Sequence, residues 1–327
     1  MLRPLLHLLR VMSLKATTGN SYQTMLPTHI RGLKEIYSRY DLFLFDQFGV
    51  LHDGRAPLPY ALDTLRQLHD RHKRVVVLSN SSNRAEKALQ RLHHMGFTSV
   101  ENILTSGELA WSHLSQGFRG RRCCWVTWAG FRTDPFLSDL EITTSGIDDA
   151  DFLLLHGSQV IVGAGSEVTP LEFMSSGVIE ASLEAVLKRA VQRNIPVVCA
   201  NMDLTAVLAS GQLAYMPGTL LKRYQQMGGT FFTSFGKPQL QFFEAALDMG
   251  HGVASNTLHV GDSLLHDIAG ATSANIDSLL VTKHGVHKME LHPLVGDRET
   301  PLLTRVCDET DRLATHRPTF VIEELLF

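Results

Sequence analysis

Leu42-Phe43-Leu44-Phe45-Asp46-Gln47-Phe48-Gly49-Val50-Leu51-His52-Asp53-Gly54 is the stretch on which the fold turns. Its first four residues form an unbroken apolar run that stops at a carboxylate. A strand covered on both faces reads this way, as strands of parallel sheets do. Val75-Val76-Val77-Leu78 repeats the pattern and ends at Ser79, and Thr257-Leu258-His259-Val260 repeats it ahead of Asp262. A fourth run, Ser278-Leu279-Leu280-Val281, leads into a loop at Gly285. Between the first two runs, Leu58, Leu62, Leu65 and Leu68 fall at helical spacing. A second helix is expected from Asn83, with Glu86 three residues on as in a capping box, and it stops at Gly96. Strand alternating with helix in this order predicts an α/β fold built on a doubly wound parallel sheet, Rossmann-like in its winding.

Working outward, the interval from about Leu104 to Met227 has strand and helix signals of its own: Cys123 to Thr127, Phe152 to Leu155, a helix around Leu183 to Val191, and Ile195 to Cys199. It reads as a second α/β domain inserted into the first. Within it, Gly157 to Gly177 is rich in Gly and Ser and is expected to be a loop. The expected division is a leader over residues 1–26, a core from 27–104 and 228–327, and an inserted domain over 105–227. A chain of 327 residues, 44% hydrophobic, is long enough for two cores.

Composition excludes several classes. Cys123, Cys124, Cys199 and Cys307 show neither a Cys-x-x-Cys pair nor a Cys/His zinc spacing, so they read as apolar filling. Trp125 and Trp128 read as core, and Arg119, Arg121 and Arg122 as a solvated loop. The net charge of −3 argues against wholesale nucleic-acid binding, and no apolar run approaches the roughly 20 residues of a membrane span. That average conceals an asymmetry. Arg3, Arg10, Lys15, Arg31 and Lys34 precede Glu35, the first acidic residue, so the remaining chain is acidic. An acid-free, Arg-bearing, Leu-rich start has the character of an organelle import leader, which predicts a mitochondrial location ahead of a plastid or cytoplasmic one.

Open parallel sheets place their ligands at the carboxyl ends of the strands, and three such ends here carry Asp46, Ser79 and Asp262. Lys237 precedes Pro238, which suits the first position of a helix running to Gly250, beside whose N-terminus an anion would sit. These residues resemble the haloacid dehalogenase-like hydrolase superfamily, and within it the class IIA members, whose large cap is inserted after the second motif. The resemblance runs through Asp46 to Gly54, Leu78-Ser79-Asn80-Ser81-Ser82, Gly236-Lys237-Pro238 and Gly261-Asp262-Ser263-Leu264-Leu265-His266-Asp267, in order, over about residues 27 to 290. Asn201-Met202-Asp203 also resembles the Asn-Pro-Asp that follows a cap strand in that class.

The resemblance implies a Mg²⁺-dependent phosphomonoester hydrolase acting on a small phosphorylated metabolite through an aspartyl-phosphate, with the cap choosing the substrate. It implies that Asp46 is the nucleophile, that Ser79 and Asn80 bind phosphate, and that Lys237 offsets the charge where nucleophile and phosphate meet. Asp46, Asp262 and the backbone carbonyl of Phe48 would hold Mg²⁺, with Asp267 supporting the ion directly or through water. Oligomeric state is not readable.

One position departs from the pattern. Most phosphatases of the superfamily carry a second aspartate two residues after the nucleophile, as acid and then base; here it is Phe48, which can do neither. His52 and Asp53 are the neighbouring groups that could substitute, although Asp53-Gly54 could equally be turn residues and His52 a packing residue. Acidic leaving groups, which need least protonation, are therefore the expected substrates. Phe48 also keeps open a weakened member that binds a phospho-ligand or protein without turnover. A metal-independent dehalogenase is disfavoured by the position of the insertion after Ser79 and by retention of Asp262 and Asp267.

Overall fold

All four side chains of the strand Leu42–Phe45 are buried in the computed structural model, which describes residues 26–327 apart from 134, 209 and 293–299. The expected import leader, up to residue 25, lies outside the described residues. The strand sits inside a seven-stranded sheet. Across it the order is Thr28–His29, Phe320–Ile322, Asp277–Val281, Thr257–Gly261, Leu42–Phe45, Arg74–Ser79 and Asn102–Thr105, and every neighbouring pair is parallel.

The unbroken apolar runs follow from burial on both faces. Phe43, Phe45 and Val77 point to one side, against Leu65 and Leu68 of the helix Ala61–Asp70 and Leu92 of the helix Ala85–His94. Leu42, Leu44, Val76 and Leu78 point to the other, against Phe242, Phe243 and Ala246 of the helix Leu240–Met249. Each such side chain contributes about 1.5–3 kcal/mol by leaving water. Pairing of Phe45 with Val77 and of Val260 with Phe45 brings the carboxyl ends of three strands level.

A second sheet lies in the inserted segment. Its order is Phe232–Ser234, Val197–Cys199, Phe152–Leu155, Arg122–Thr127, Val160–Val162 and Val168–Pro170, with the last two strands antiparallel to their neighbours. Alternation is again two-faced. Cys124, Val126, Leu153 and Leu155 pack with Leu183 and Leu187 of the helix Ala181–Arg193. Cys123, Trp125, Phe152 and Leu154 pack with Ala110 and Leu114 of the helix Ser106–Gly117. The four cysteines are free and buried. Among the described residues no helix is long and apolar enough to cross a membrane.

Several expectations need correction. Phe232–Ser234 pairs with Val197–Cys199, so the inserted sheet runs past the boundary set at residue 227. The segment expected to be a Gly/Ser loop contains the hairpin Val160–Val162 and Val168–Pro170 and the short helix Phe173–Ser176. The Gly residues there mark its turn, and Val160-Ile161-Val162 was the strand signal. The second helix begins at Ala85 rather than at Asn83, and Glu86 forms no capping box. Its first amide, Ala85 N–H, instead donates to Glu108, 3.0 Å away across the chain. Pro238 likewise stands ahead of its helix, which starts at Leu240 after Gln239.

The loop after Ser79 is gripped from both sides. Trp128 Nε1 donates to Ser82 Oγ at 2.9 Å, and His156 Nε2 lies 3.0 Å from the Ser82 carbonyl. Ser106 Oγ donates to the Ala200 carbonyl at 2.7 Å, tying the first sheet's edge to the end of an inserted-sheet strand.

Candidate active site

Asp46 leaves its strand with its N–H donating to the Val260 carbonyl at 2.9 Å, which sets it beside the end of Thr257–Gly261. Asp262 and Asp267 follow that second strand. Asp46, Asp262 and Asp267 are all buried, and one carboxylate oxygen of each lies within 4.8 Å of the others. Lys237 reaches the cluster from the far end of the insertion. Its Nζ donates to Asp46 Oδ1 at 2.5 Å and pairs with Asp267 Oδ1 at 2.8 Å.

Asp267 is almost fully engaged by the protein. Its Oδ1 also lies 2.8 Å from His259 Nε2, while Oδ2 accepts the N–H groups of Asp262 at 3.3 Å and Ser263 at 3.0 Å. It therefore braces Lys237 and the loop carrying Asp262. Asp262 is held more loosely, its Oδ2 accepting the Val286 N–H at 2.8 Å. Gly49, with φ of +76°, passes so close that a Cβ there would come 2.5 Å from that same oxygen. Only glycine combines this backbone conformation with this clearance.

Three carboxylates and one ammonium in a buried site leave negative charge uncompensated. Burial pushes the Asp46 carboxyl up to about 7, against the pull of Lys237. Burial and the neighbouring Asp46 and Asp267 hold Asp262 well above the ordinary carboxylate range. Burial also acts to raise Asp267, but the Lys237 ammonium and the His259 hydrogen bond outweigh it and hold Asp267 below that range. Oxygen donors only, clustered and short of positive charge, fit a hard divalent cation such as Mg²⁺.

The sign of the stability effect follows. Asp46 and Asp262 bind a proton more tightly folded than unfolded, so both favour the fold below the unfolded value of 3.8 and oppose it increasingly as pH rises, for Asp46 through about 7. Asp262→Asn is thus expected to raise the melting temperature of metal-free protein by roughly 2–4 °C at alkaline pH. The gain should shrink in mild acid, and the variant should lose stabilisation by added Mg²⁺. Melting curves at the two pH values check this, and a variant that melts below wild type at both would contradict it.

Ser79 is buried, and its Oγ accepts the Ser81 N–H at 3.1 Å, leaving the hydroxyl proton available to a phosphoryl oxygen. The Asn80 side chain is engaged within the protein. Its Nδ2 donates to Asp203 Oδ1 at 2.8 Å and to the Lys237 carbonyl at 3.1 Å, and its Oδ1 accepts the Lys237 N–H at 2.7 Å. The side chain is a brace that positions Lys237 and captures a carboxylate from the inserted segment.

Both candidate substitute acids are engaged in the turn that follows Asp46. His52 is buried, its Nδ1 accepts the Gly54 N–H at 3.1 Å, and its Nε2 faces Gln47 Oε1 at 3.3 Å. Burial and the nearby Arg91 lower its pKa to about 4, so it is neutral and internally bonded. Asp53 is exposed and accepts the N–H groups of Arg55 and Ala56, both at 2.8 Å, which hold its pKa down. Both are turn residues. Phe48 is 43% exposed, its ring meeting His52 edge-on at 4.7 Å between centroids.

His259 was missed, hidden inside an apolar strand; a lone His in a fully buried run was the available signal. Val286, whose amide serves Asp262, carries no side-chain signal at all.

Comparison with known proteins agrees with this geometry. A haloacid dehalogenase-like hydrolase model matches residues 43–136, and a second, HAD-hydrolase-like, matches residues 234–326. The D-glycerol 3-phosphate phosphatase of Mycobacterium tuberculosis is 27% identical over 252 residues, 76% of this chain and 65% of that protein's length. Among solved structures, a haloacid dehalogenase-like family hydrolase from Brucella suis superposes with a TM-score of 0.69 at 22% identity, covering 91% of this chain and all of the other. A glycerol phosphate phosphatase from Mycobacterium tuberculosis, solved in complex with magnesium, gives 0.59 at 22% identity over 88% and 77% of the two chains. The matched segments carry Asp46, Ser79, Lys237, Asp262 and Asp267 and skip most of the inserted sheet, and the chain belongs to the haloacid dehalogenase-like hydrolases.

Proposed function

We propose that this protein is a Mg²⁺-dependent phosphatase that hydrolyses a small phosphorylated metabolite through an aspartyl-phosphate on Asp46. The observation that carries the reading is the buried cluster of Asp46, Asp262 and Asp267 bridged by Lys237. The phosphatase relative at 27% identity supports the reaction class.

Asp46 and Asp262, with the backbone carbonyl of Phe48, would hold Mg²⁺, whose charge would draw the phosphate against the nucleophile. Lys237 holds Asp46 Oδ1, and the Asp46 carboxylate attacks phosphorus. Its bond to phosphorus forms as the bond from phosphorus to the leaving oxygen breaks. Water then attacks the same phosphorus, returning Asp46 as a carboxylate and releasing phosphate. Ser79 donates a hydrogen bond to a phosphoryl oxygen, and Lys237 stabilises the charge that builds beside Asp46. Asp267 and Asn80 hold Lys237 at its ammonium and its backbone respectively.

Because Phe48 supplies no proton, the leaving oxygen departs unprotonated, which favours esters of acidic alcohols, phenols or acids. Purified protein with Mg²⁺ is expected to release phosphate from 4-nitrophenyl phosphate and to stop when the metal is chelated. A panel of aryl, acyl, sugar and nucleotide phosphates with no release would sink the proposal. Stabilisation by a phosphate ester that is never turned over would favour the binding-protein reading instead.

A further inference from the structure

Behind the carboxylate cluster lies a second polar group that the reaction does not use. Glu309, on the helix Leu302–Arg312, is 6% exposed and is clasped by Arg312 through Nε and Nη2. Its Oε1 also faces His287 Nδ1 at 3.4 Å. On the opposite edge of the ring, His287 Nε2 accepts the N–H of Leu264 at 3.2 Å. An accepting Nε2 places the ring proton on Nδ1, pointing at the Glu309 carboxylate.

The His287–Leu264 bond joins the two segments that shape the Asp262 environment. Leu264 opens the single π-helical turn Leu264–Ile268, which carries Asp267. His287 follows Val286, whose N–H bonds Asp262 Oδ2 at 2.8 Å. The loop fits closely there, since a Cβ on Gly285 would stand 2.4 Å from Asp262 Cβ. Leu264, Ile268, Leu291 and Val306 pack together as one buried apolar cluster.

We propose that His287 and Glu309 are a positioning pair for the metal site, locking the 285–287 loop to the 264–268 turn so that Asp262 and Asp267 keep their mutual geometry. The proposal rests on the reading of Asp46 and Asp262 as metal ligands. Hydrogen-bond partners behind a ligand set its orientation and commonly change metal affinity 10–100-fold when lost. Neither residue touches substrate.

Calorimetric titration of the full chain with Mg²⁺ tests this without relying on turnover. His287→Ala is expected to weaken Mg²⁺ binding about tenfold. His287→Gln, whose Oε1 can accept the Leu264 N–H where Nε2 did, should stay within about twofold of wild type. Glu309→Gln, which keeps the volume but weakens the hold on the ring, should fall between them. At saturating Mg²⁺ the KM for 4-nitrophenyl phosphate should not change in any variant. Equal Mg²⁺ affinity in wild type and His287→Ala overturns the positioning role alone, as does equal loss in the Ala and Gln variants. A wild-type protein that binds no Mg²⁺ overturns both this pair and the metal reading beneath it.

Discussion

Asp46→Asn is expected to lower phosphatase turnover by on the order of 10³-fold or more, because a neutral carboxamide cannot form the covalent intermediate. The loss should not come from unfolding. Burial already raises the Asp46 carboxyl to about 7, so a neutral side chain of the same size removes a like-charge conflict with Asp262 and Asp267. Lys237 keeps its second partner, Asp267, at 2.8 Å. Melting temperature without metal is therefore expected to hold or rise while turnover collapses, a combination that a merely structural Asp46 would not give. Turnover within tenfold of wild type would remove Asp46 from the mechanism.

Phe48→Asp is expected to act in the opposite direction. It restores a carboxyl two residues after Asp46, where it can protonate the leaving oxygen and then take a proton from the attacking water. Such acid–base help is typically worth about 10²–10⁴-fold, and the gain should be concentrated on alkyl phosphates, whose alkoxide leaving groups need the proton most. Aryl phosphates should gain much less, so the ratio of kcat/KM values for the two substrates is the diagnostic quantity. The site can accept the change, because Phe48 is 43% exposed and its ring rests on the turn residues His52 and Gly54 rather than in the core. An unchanged ratio would mean that leaving-group protonation is not what the natural sequence lacks.

The central strands were legible because each is an apolar run buried on both faces and ended by a polar residue. The same feature made Asp46, Ser79 and Asp262 legible as a group. The two strands at one end of the sheet were not. Thr28–His29 and Phe320–Ile322 are too short to show a period, and they exist because the neighbouring strand offers them hydrogen bonds. Phe232–Ser234 was placed on the wrong side of the boundary for a similar reason, its sheet being decided by Val197–Cys199, far away in the chain.

Within the site, residue type indicated chemistry but not partners. Asn80 stands next to Ser79, and its side-chain amide bonds Asp203 and Lys237, partners far away in the chain. His52 could have been an acid on type alone, but burial and two local contacts leave it neutral. The support given by His259 and Asp267 to Lys237 depends on three segments meeting, and no local pattern announces it.

The central claim is that Asp46 is phosphorylated during turnover. Mixing enzyme, Mg²⁺ and an aryl phosphate labelled in its phosphoryl group, quenching in acid within a turnover, and locating the label by peptide mapping tests it directly. The account predicts label on the peptide containing Asp46 in the wild type and none in Asp46→Asn. Undiminished phosphate release with no labelled protein at any quench time would contradict it.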